Sequence, residues 1–160
     1  MFHKILVALD NSAIGKYVFD EALCLAQAIR ASLMLIHVLS PDEAGYPDTH
    51  FLSSSDYAPV MATDQAIKSY LDQLEACKAE GLQLLQSHAN TARSKGIKTE
   101  FTQTLGSPGH SICDLAQTWG ADLIMTGRRN RSVMGQLFLG SVSNYVSHNA
   151  PCSVLTVHTT

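Results

Sequence analysis

Ala121-Asp122-Leu123-Ile124-Met125-Thr126-Gly127-Arg128-Arg129-Asn130, followed nine residues on by Gly140-Ser141, decides the reading of this chain. The apolar run Ala121 to Thr126 has the length and composition of a buried strand. Val142 to His148 reads as a helix, with Val142, Tyr145 and Val146 on one side. Between them lies a polar, glycine-flanked loop with three arginines, Arg128, Arg129 and Arg131, and no Asp or Glu follows Asp122. A buried strand that opens through such a loop into a helix is a way to hold an anion. The first N–H groups of a helix lack intrahelical partners, and the helix dipole adds positive character there. The ligand this predicts is a nucleotide; the plain alternative is a solvated arginine cluster with glycines as turn punctuation.

Working outward, Lys4 to Leu9 is a second buried strand, and Asn11-Ser12 supplies a helix N-cap. Ile14, Val18, Ala22, Leu25, Ala26 and Ile29 then recur at helical spacing. Ser32 to Leu39 is a strand. Residues 40–62 carry three prolines, a glycine and four acids and read as a long, mobile loop. A helix capped by Thr63 or Asp64 follows, with Ile67, Leu71, Leu74, Leu82, Leu85, Ala89 and Ala92 as its stripe and Gly96 as its stop. Lys78 falls on that stripe and reads as a snorkelling side chain. Ile97 to Thr104 alternates as an edge strand would. Pro108 opens a helix lined by Ile112, Leu115, Ala116 and Trp119 and closed by Gly120. Ser153 to Val157 is the last strand. Five strands alternating with four helices predict a single α/β domain over residues 1–160, an open five-stranded, mostly parallel sheet with helices on both faces.

In such a sheet ligands lie beyond the carboxyl ends of the strands, where the winding reverses. Two strand ends carry suitable residues: Ala8-Leu9-Asp10 and Thr126-Gly127. If their strands are neighbours, both loops open into one crevice. Asp10 is then either a ribose or adenine contact or an N-cap shared with Ser12. His110 stands near a helix start, close to the expected crevice, and His37 reads as a core residue.

Composition excludes several classes. The net charge of −3 argues against general nucleic-acid binding. The charge is uneven: residues 41–80 hold eight acids against two lysines, whereas the chain after Asp122 carries only Arg and His. Cys24, Cys77, Cys113 and Cys152 form no CxxC pair and read as buried free thiols. The N-terminus has no signal-peptide pattern, and a cytoplasmic location is expected. There is no G-x-x-x-x-G-K-[ST] loop, G-x-G-x-x-G fingerprint, HExxH or nucleophile elbow. An efficient catalyst would need a positioned general base, and the presumed site offers only Asp10.

The segments Lys4–Ser12 (KILVALDNS), Leu35–Ser40 (LIHVLS), Gly106–Ile112 (GSPGHSI), Ala121–Gly127 (ADLIMTG) and Gly140–Val157 together resemble the universal stress protein family, essentially end to end. The resemblance implies a Rossmann-like fold of the adenine nucleotide alpha hydrolase type. The family's ATP-binding members carry G-x2-G-x9-G-[ST]. Here that pattern reads Gly127-x2-Asn130-x9-Gly140-Ser141, with asparagine, which tolerates left-handed backbone, at the second glycine. Carried over, Ala8, Leu9 and Asp10 would line the adenosine pocket, and Val38 would meet adenine through its backbone. Thr126, Gly127, Asn130, Gly140, Ser141, Val142 and Ser143 would hold ribose and phosphates beside Arg128 and Arg129. The ligand would be ATP, or ADP or AMP, with Mg²⁺ accompanying a triphosphate. The resemblance also implies a homodimer paired along Cys152 to His158. The function expected is an ATP-binding, nucleotide-dependent stress-response regulator. The alternative is an interaction or chaperone-like protein, or one binding AMP, a cyclic nucleotide or another small anion.

Overall fold

In a computed structural model of the chain, residues 1–41, 46–47, 64–127 and 140–158 are described. The elements run β1 (Lys4–Leu9), α1 (Ala13–Ile29), β2 (Ser32–Leu39), α2 (Asp64–Ser94), β3 (Thr99–Leu105), α3 (Pro108–Trp119), β4 (Leu123–Gly127), α4 (Ser141–Asn149) and β5 (Ser153–Val157). The expected loop 40–62 falls outside the described residues except for Ser40, Pro41, Tyr46 and Pro47.

The strands form one sheet in the order β3-β2-β1-β4-β5, every neighbouring pair parallel. Alternation along each strand sends side chains to two cores. Ile5, Val7, Leu9, Leu33, Leu35, Leu123 and Met125 meet α1 and α2 on one face. Leu6, Met34, Ile36 and Ile124 meet Ile112, Ala116 and Val146 of α3 and α4 on the other. Crossovers of one hand explain the division: α1 and α2 carry the chain outward from β1, and α3 and α4 carry it the opposite way. The reversal therefore falls between β1 and β4.

The amino-terminal end of the sheet is closed by polar groups. The Asp122 carboxylate accepts the N–H groups of His3 (2.8 Å) and Lys4 (3.1 Å). Lys4 Nζ donates to the Trp119 carbonyl at 2.6 Å and lies over the Trp119 ring. Ala121 and Asp122 are spent on this closure, so β4 begins two residues later than the apolar run predicts. Their N–H groups reach Ala116 and Lys4.

Two expectations need correction. The stripe predicted on α2 is buried only at Leu85, Ala89 and Ala92; Ile67, Leu71 and Leu82 are 43%, 54% and 40% exposed. Leu82 lies between buried Gly81 and Leu85 and is exposed by the side of the helix it occupies; for Ile67 and Leu71 length is the reason. A helix of 31 residues is ~46 Å long, whereas β2, with 8 residues, spans only ~26 Å. The amino-terminal part of α2 overruns the sheet that buries its other end. Second, the cysteines are not buried: Cys24 is exposed on the outer side of α1, and the other three are half-buried. Apolar neighbours in sequence do not share a helix face. Burial at the edge of the second core still pushes the thiols of Cys113 and Cys152 up from their ordinary pKa. α1 ends without glycine. Arg30 takes the left-handed conformation, φ 58°, and its N–H closes on the Ala26 carbonyl.

His37 is 1% exposed, as a core histidine should be. Its Nδ1 lies 3.1 Å from Gln103 Nε2, which also donates to the Lys78 carbonyl. The Lys78 ammonium itself remains in solvent near Glu75. Against this group packs Gly81, in the middle of α2, where a Cβ would fall within 3.0 Å of both the His37 ring and the Gln103 amide. Helix propensity alone would favour alanine at residue 81 by ~1 kcal/mol. We expect the reverse sign: Gly81→Ala lowers unfolding free energy by about 1–3 kcal/mol in urea titrations, because the buried ring has nowhere to go.

Candidate functional site

The carboxyl ends of β1 and β4 lie side by side, since Val7 pairs with Met125. On the α3/α4 face Ala8 pairs with Ile36, and Thr126 follows the last β1–β4 pair, Val7 with Met125, by one residue, as Ala8 does. Alanine at position 8 leaves space that a larger side chain would fill. A cavity of about 350 Å³ opens there, within the range of small-molecule sites.

Three helix starts border the cavity, those of α1, α3 (through Pro108) and α4; α3 takes no side-chain cap from Ser107, and the starts of α1 and α4 are finished differently. The start of α1 is satisfied by the protein. Ser12 Oγ accepts the Gly15 N–H at 3.1 Å, and the Asp10 carboxylate accepts the Ser12 N–H at 2.9 Å and the Ser12 hydroxyl. Residue 15 has to be glycine, because a Cβ would run into the Asp10 carbonyl and carboxylate. The start of α4 has no such arrangement. Its N-cap is Gly140, with no side chain to cap it, and the first helical bond is Asn144 N–H to the Gly140 carbonyl. The N–H groups of Ser141, Val142 and Ser143 thus have no partner within the helix. The Ser143 hydroxyl donates to the Gly127 carbonyl at 2.8 Å and fastens this turn to the end of β4.

The cavity brings together Ala8, Leu9, Asp10, Val38, Thr126, Gly127, Gly140, Ser141, Val142 and Ser143, all of them singled out from the sequence. Arg128, Arg129 and Asn130 lie outside the described residues. Sequence reasoning missed Ile14, Gly15, Ile36, Ser40, Pro108 and Ile112. The period-two rule held the signal for Ile36, two residues before Val38 on the same face. Pro108 and Ile112 required knowing which face α3 covers.

His110 does not line the cavity. Its ring lies 4.6 Å from that of Tyr145, whose hydroxyl is 3.0 Å from His110 Nδ1. Gly109 beneath the Tyr145 ring makes room for that contact between α3 and α4. Asp10 is the single carboxylate among the described lining residues. Among the described residues no group of three metal-ligating side chains occurs.

Chemically, the cavity has an apolar end and a polar end. Ile36, Val38, Pro108 and Ile112 make a surface on which a flat ring can lie. The first turn of α4 offers N–H donors and positive potential to an anion. An open parallel sheet with such a cleft at its switch point defines the doubly wound α/β class.

The chain matches the universal stress protein family over residues 1–158. It is 35% identical over 156 residues to universal stress protein Sll1388 of Synechocystis sp., covering 98% of this chain and 97% of that one. Among solved structures, a universal stress protein in complex with cAMP aligns with TM-score 0.67 at 21% identity, covering 99% of this chain and 98% of the other. A universal stress protein family protein from Arabidopsis thaliana with AMP bound aligns with TM-score 0.67 at 22% identity, covering 99% and 92%. At these identities the structures show a shared fold. The chain belongs to the universal stress protein family.

Gly127 has a packing reason independent of any ligand. A Cβ there would fall within 3.0 Å of Ile14 Cγ2, with Val18 Cγ2 next at 3.1 Å. Gly127→Ala is therefore expected to lower stability by about 1–3 kcal/mol without ligand present. In an Ile14→Ala background the same substitution should cost less by at least ~0.5 kcal/mol in a double-mutant cycle. A glycine needed only for phosphate approach would show neither effect.

Proposed function

We propose that this protein binds an adenine nucleotide in the cleft between the ends of β1 and β4 and acts as a nucleotide-dependent stress-response regulator. The observation that carries the reading is the open start of α4 beside an apolar wall. The base lies on Ile36, Val38, Pro108 and Ile112. The phosphates sit at the N–H groups of Ser141, Val142 and Ser143, with Arg128, Arg129 and Asn130 in the loop between β4 and α4. Two fold relatives whose ligands are cAMP and AMP support an adenine nucleotide as the class.

ATP is the physiological ligand in this reading. Mg²⁺ fits the donor set: it keeps water and phosphate oxygens as ligands and needs few carboxylates, and Asp10 is at hand. The Mg²⁺ would neutralise phosphate charge. The protein binds rather than turns over quickly. The one carboxylate among the described lining residues accepts two hydrogen bonds from Ser12 and is engaged in capping α1.

A second copy pairs along Cys152 to His158. β5 is the last strand of the sheet, and an edge strand offers N–H and C=O groups to another chain. The reading takes the protein to be cytoplasmic. Its free thiols suit a reducing compartment, and no helix among the described residues is long and apolar enough to cross a membrane.

Gly140→Asp tests the carrying observation with two effects of opposite sign. A carboxylate at the N-cap supplies the missing acceptor, so the protein without ligand should gain about 0.5–1 kcal/mol. The same carboxylate occupies the phosphate position and repels it. Calorimetry should give Kd below about 100 µM for ATP with the wild type and at least tenfold weaker binding with the variant; ~1 mM corresponds to only about −4.1 kcal/mol. Turnover of ATP should stay below roughly 1 per second, under the usual enzyme range. Equal affinities in wild type and variant would remove α4 from the site.

A further inference from the structure

β3 lies at one edge of the sheet, with β2 as its neighbour. Two bonds fix which of its backbone groups face outward. The Leu33 N–H donates to the Lys98 carbonyl, and the Gly106 N–H donates to the Leu39 carbonyl. In a parallel ladder successive residues of a strand turn their N–H and C=O groups to alternate sides. With Leu33 opposite Thr99 and Leu39 opposite Leu105, the groups of Glu100, Thr102 and Thr104 point to β2. Those of Thr99, Phe101, Gln103 and Leu105 point away from the sheet.

Such a row is a template for another strand. β3 has few of the features that blunt an edge. It is 7 residues long, against 5 for β5. It contains no proline and no lysine, and its one charge is Glu100. Its register with β2 is continuous, without a bulge. Its threonines and Phe101 favour extended chain.

Arg93 covers the start of this row. It stands in the last turn of α2 and donates from Nε and Nη2 to the Thr99 carbonyl, at 3.1 and 2.8 Å. Its guanidinium lies 5.7 Å from the centre of the Phe101 ring. Thr99 is only 4% exposed, although its strand is at the edge. The fork therefore occupies the first outward acceptor of β3 and stands where a pairing strand would run. α2 does not need it as a stop, because the backbone closes the helix through Gly96 N–H to the Arg93 carbonyl and Ile97 N–H to the Ala92 carbonyl.

We propose that Arg93 is a guard that stops β3 from pairing with β3 of a second copy of this chain. That occupant fits because a two-fold axis beside the edge lays the same strand antiparallel to itself, donors against acceptors. With Arg93 in place, association along the sheet is left to β5. Without it the sheet has two open edges, and pairing at both builds chains with no natural end. The inference depends on neither the nucleotide reading nor the β5 pairing.

The test is sedimentation velocity of wild type, Arg93→Ala, Arg93→Lys and the double variant Arg93→Ala/Leu105→Pro, over roughly 10 µM to 1 mM, the range in which unpaired strand edges associate. Amide exchange on the same samples follows Phe101, Gln103 and Leu105. Arg93→Ala should reach at least about twice the wild-type mass, as two-fold pairing requires, and those three amides should exchange more slowly as it does. Arg93→Lys keeps the charge at the end of α2 but cannot form the fork. It should associate too, and it carries the test should Arg93→Ala fail to fold. Leu105→Pro removes an outward N–H, which an edge strand tolerates, and should return the mass to that of wild type. Folded alanine and lysine variants that keep the wild-type mass would overturn the inference. Association that Leu105→Pro leaves intact, or that leaves the three amides unprotected, would overturn it as well, since the contact would then lie elsewhere. A wild type that sediments as a monomer would remove the β5 pairing; a doubling on loss of Arg93 would still support the guard.

Discussion

Parallel strands can be joined only by a crossover that covers one face of the sheet, and the crossover has one hand. Everything else in this molecule depends on that constraint. The chain starts in the middle of the sheet, runs outward through β2 to β3, and then crosses to β4 on the far side of β1. The helix pair of one half lies on the face opposite to that of the other. Between β1 and β4 the connections leave in opposite directions, and among the described residues a cavity remains at the carboxyl ends. The amino-terminal end has no such gap, and there Asp122 and Lys4 tie β1 to the turn before β4.

What the gap attracts is decided by the helix starts around it. The amino-terminal N–H groups of a helix need an acceptor from somewhere. Ser12 and Asp10 give α1 an internal one. Gly140 gives α4 none. The positive end of α4 therefore looks into the cleft, next to apolar side chains of β2 and α3. That pairing of an apolar surface with N–H donors that have no partner within their own helix is the physical basis for reading a nucleotide there. The glycines around it are explained mostly by close packing: Gly15 under Asp10, Gly109 under Tyr145, and Gly127 under Ile14.

Most of this architecture was legible in the sequence, because the signals were strong and local. KILVAL and SLMLIHVL are apolar on both faces, as strands of a doubly covered parallel sheet must be. Ser12, Gly96, Pro108 and Gly120 mark their helix ends by rules of backbone chemistry. Ten of the residues that line the cavity were singled out because strand ends and helix starts are positions readable from order alone. The misses share a cause. Whether Ile67 and Leu71 are covered depends on how far the sheet extends beneath α2. Whether Cys24 is buried depends on which side of α1 faces the sheet. The left-handed turn at Arg30 and the partnership of His37 with Gln103 and Gly81 depend on tertiary contacts. Local pattern carries none of these.

The most direct measurement is an amide-resolved NMR titration of the protein with AMP. The account predicts that the largest shifts fall on Ser141, Val142, Ser143, Thr126 and Gly127, with smaller ones at Ala8 and Val38 and none at the exposed amino-terminal part of α2. Saturating shifts that cluster away from the start of α4, or a spectrum unchanged by AMP and by ATP alike, would contradict it.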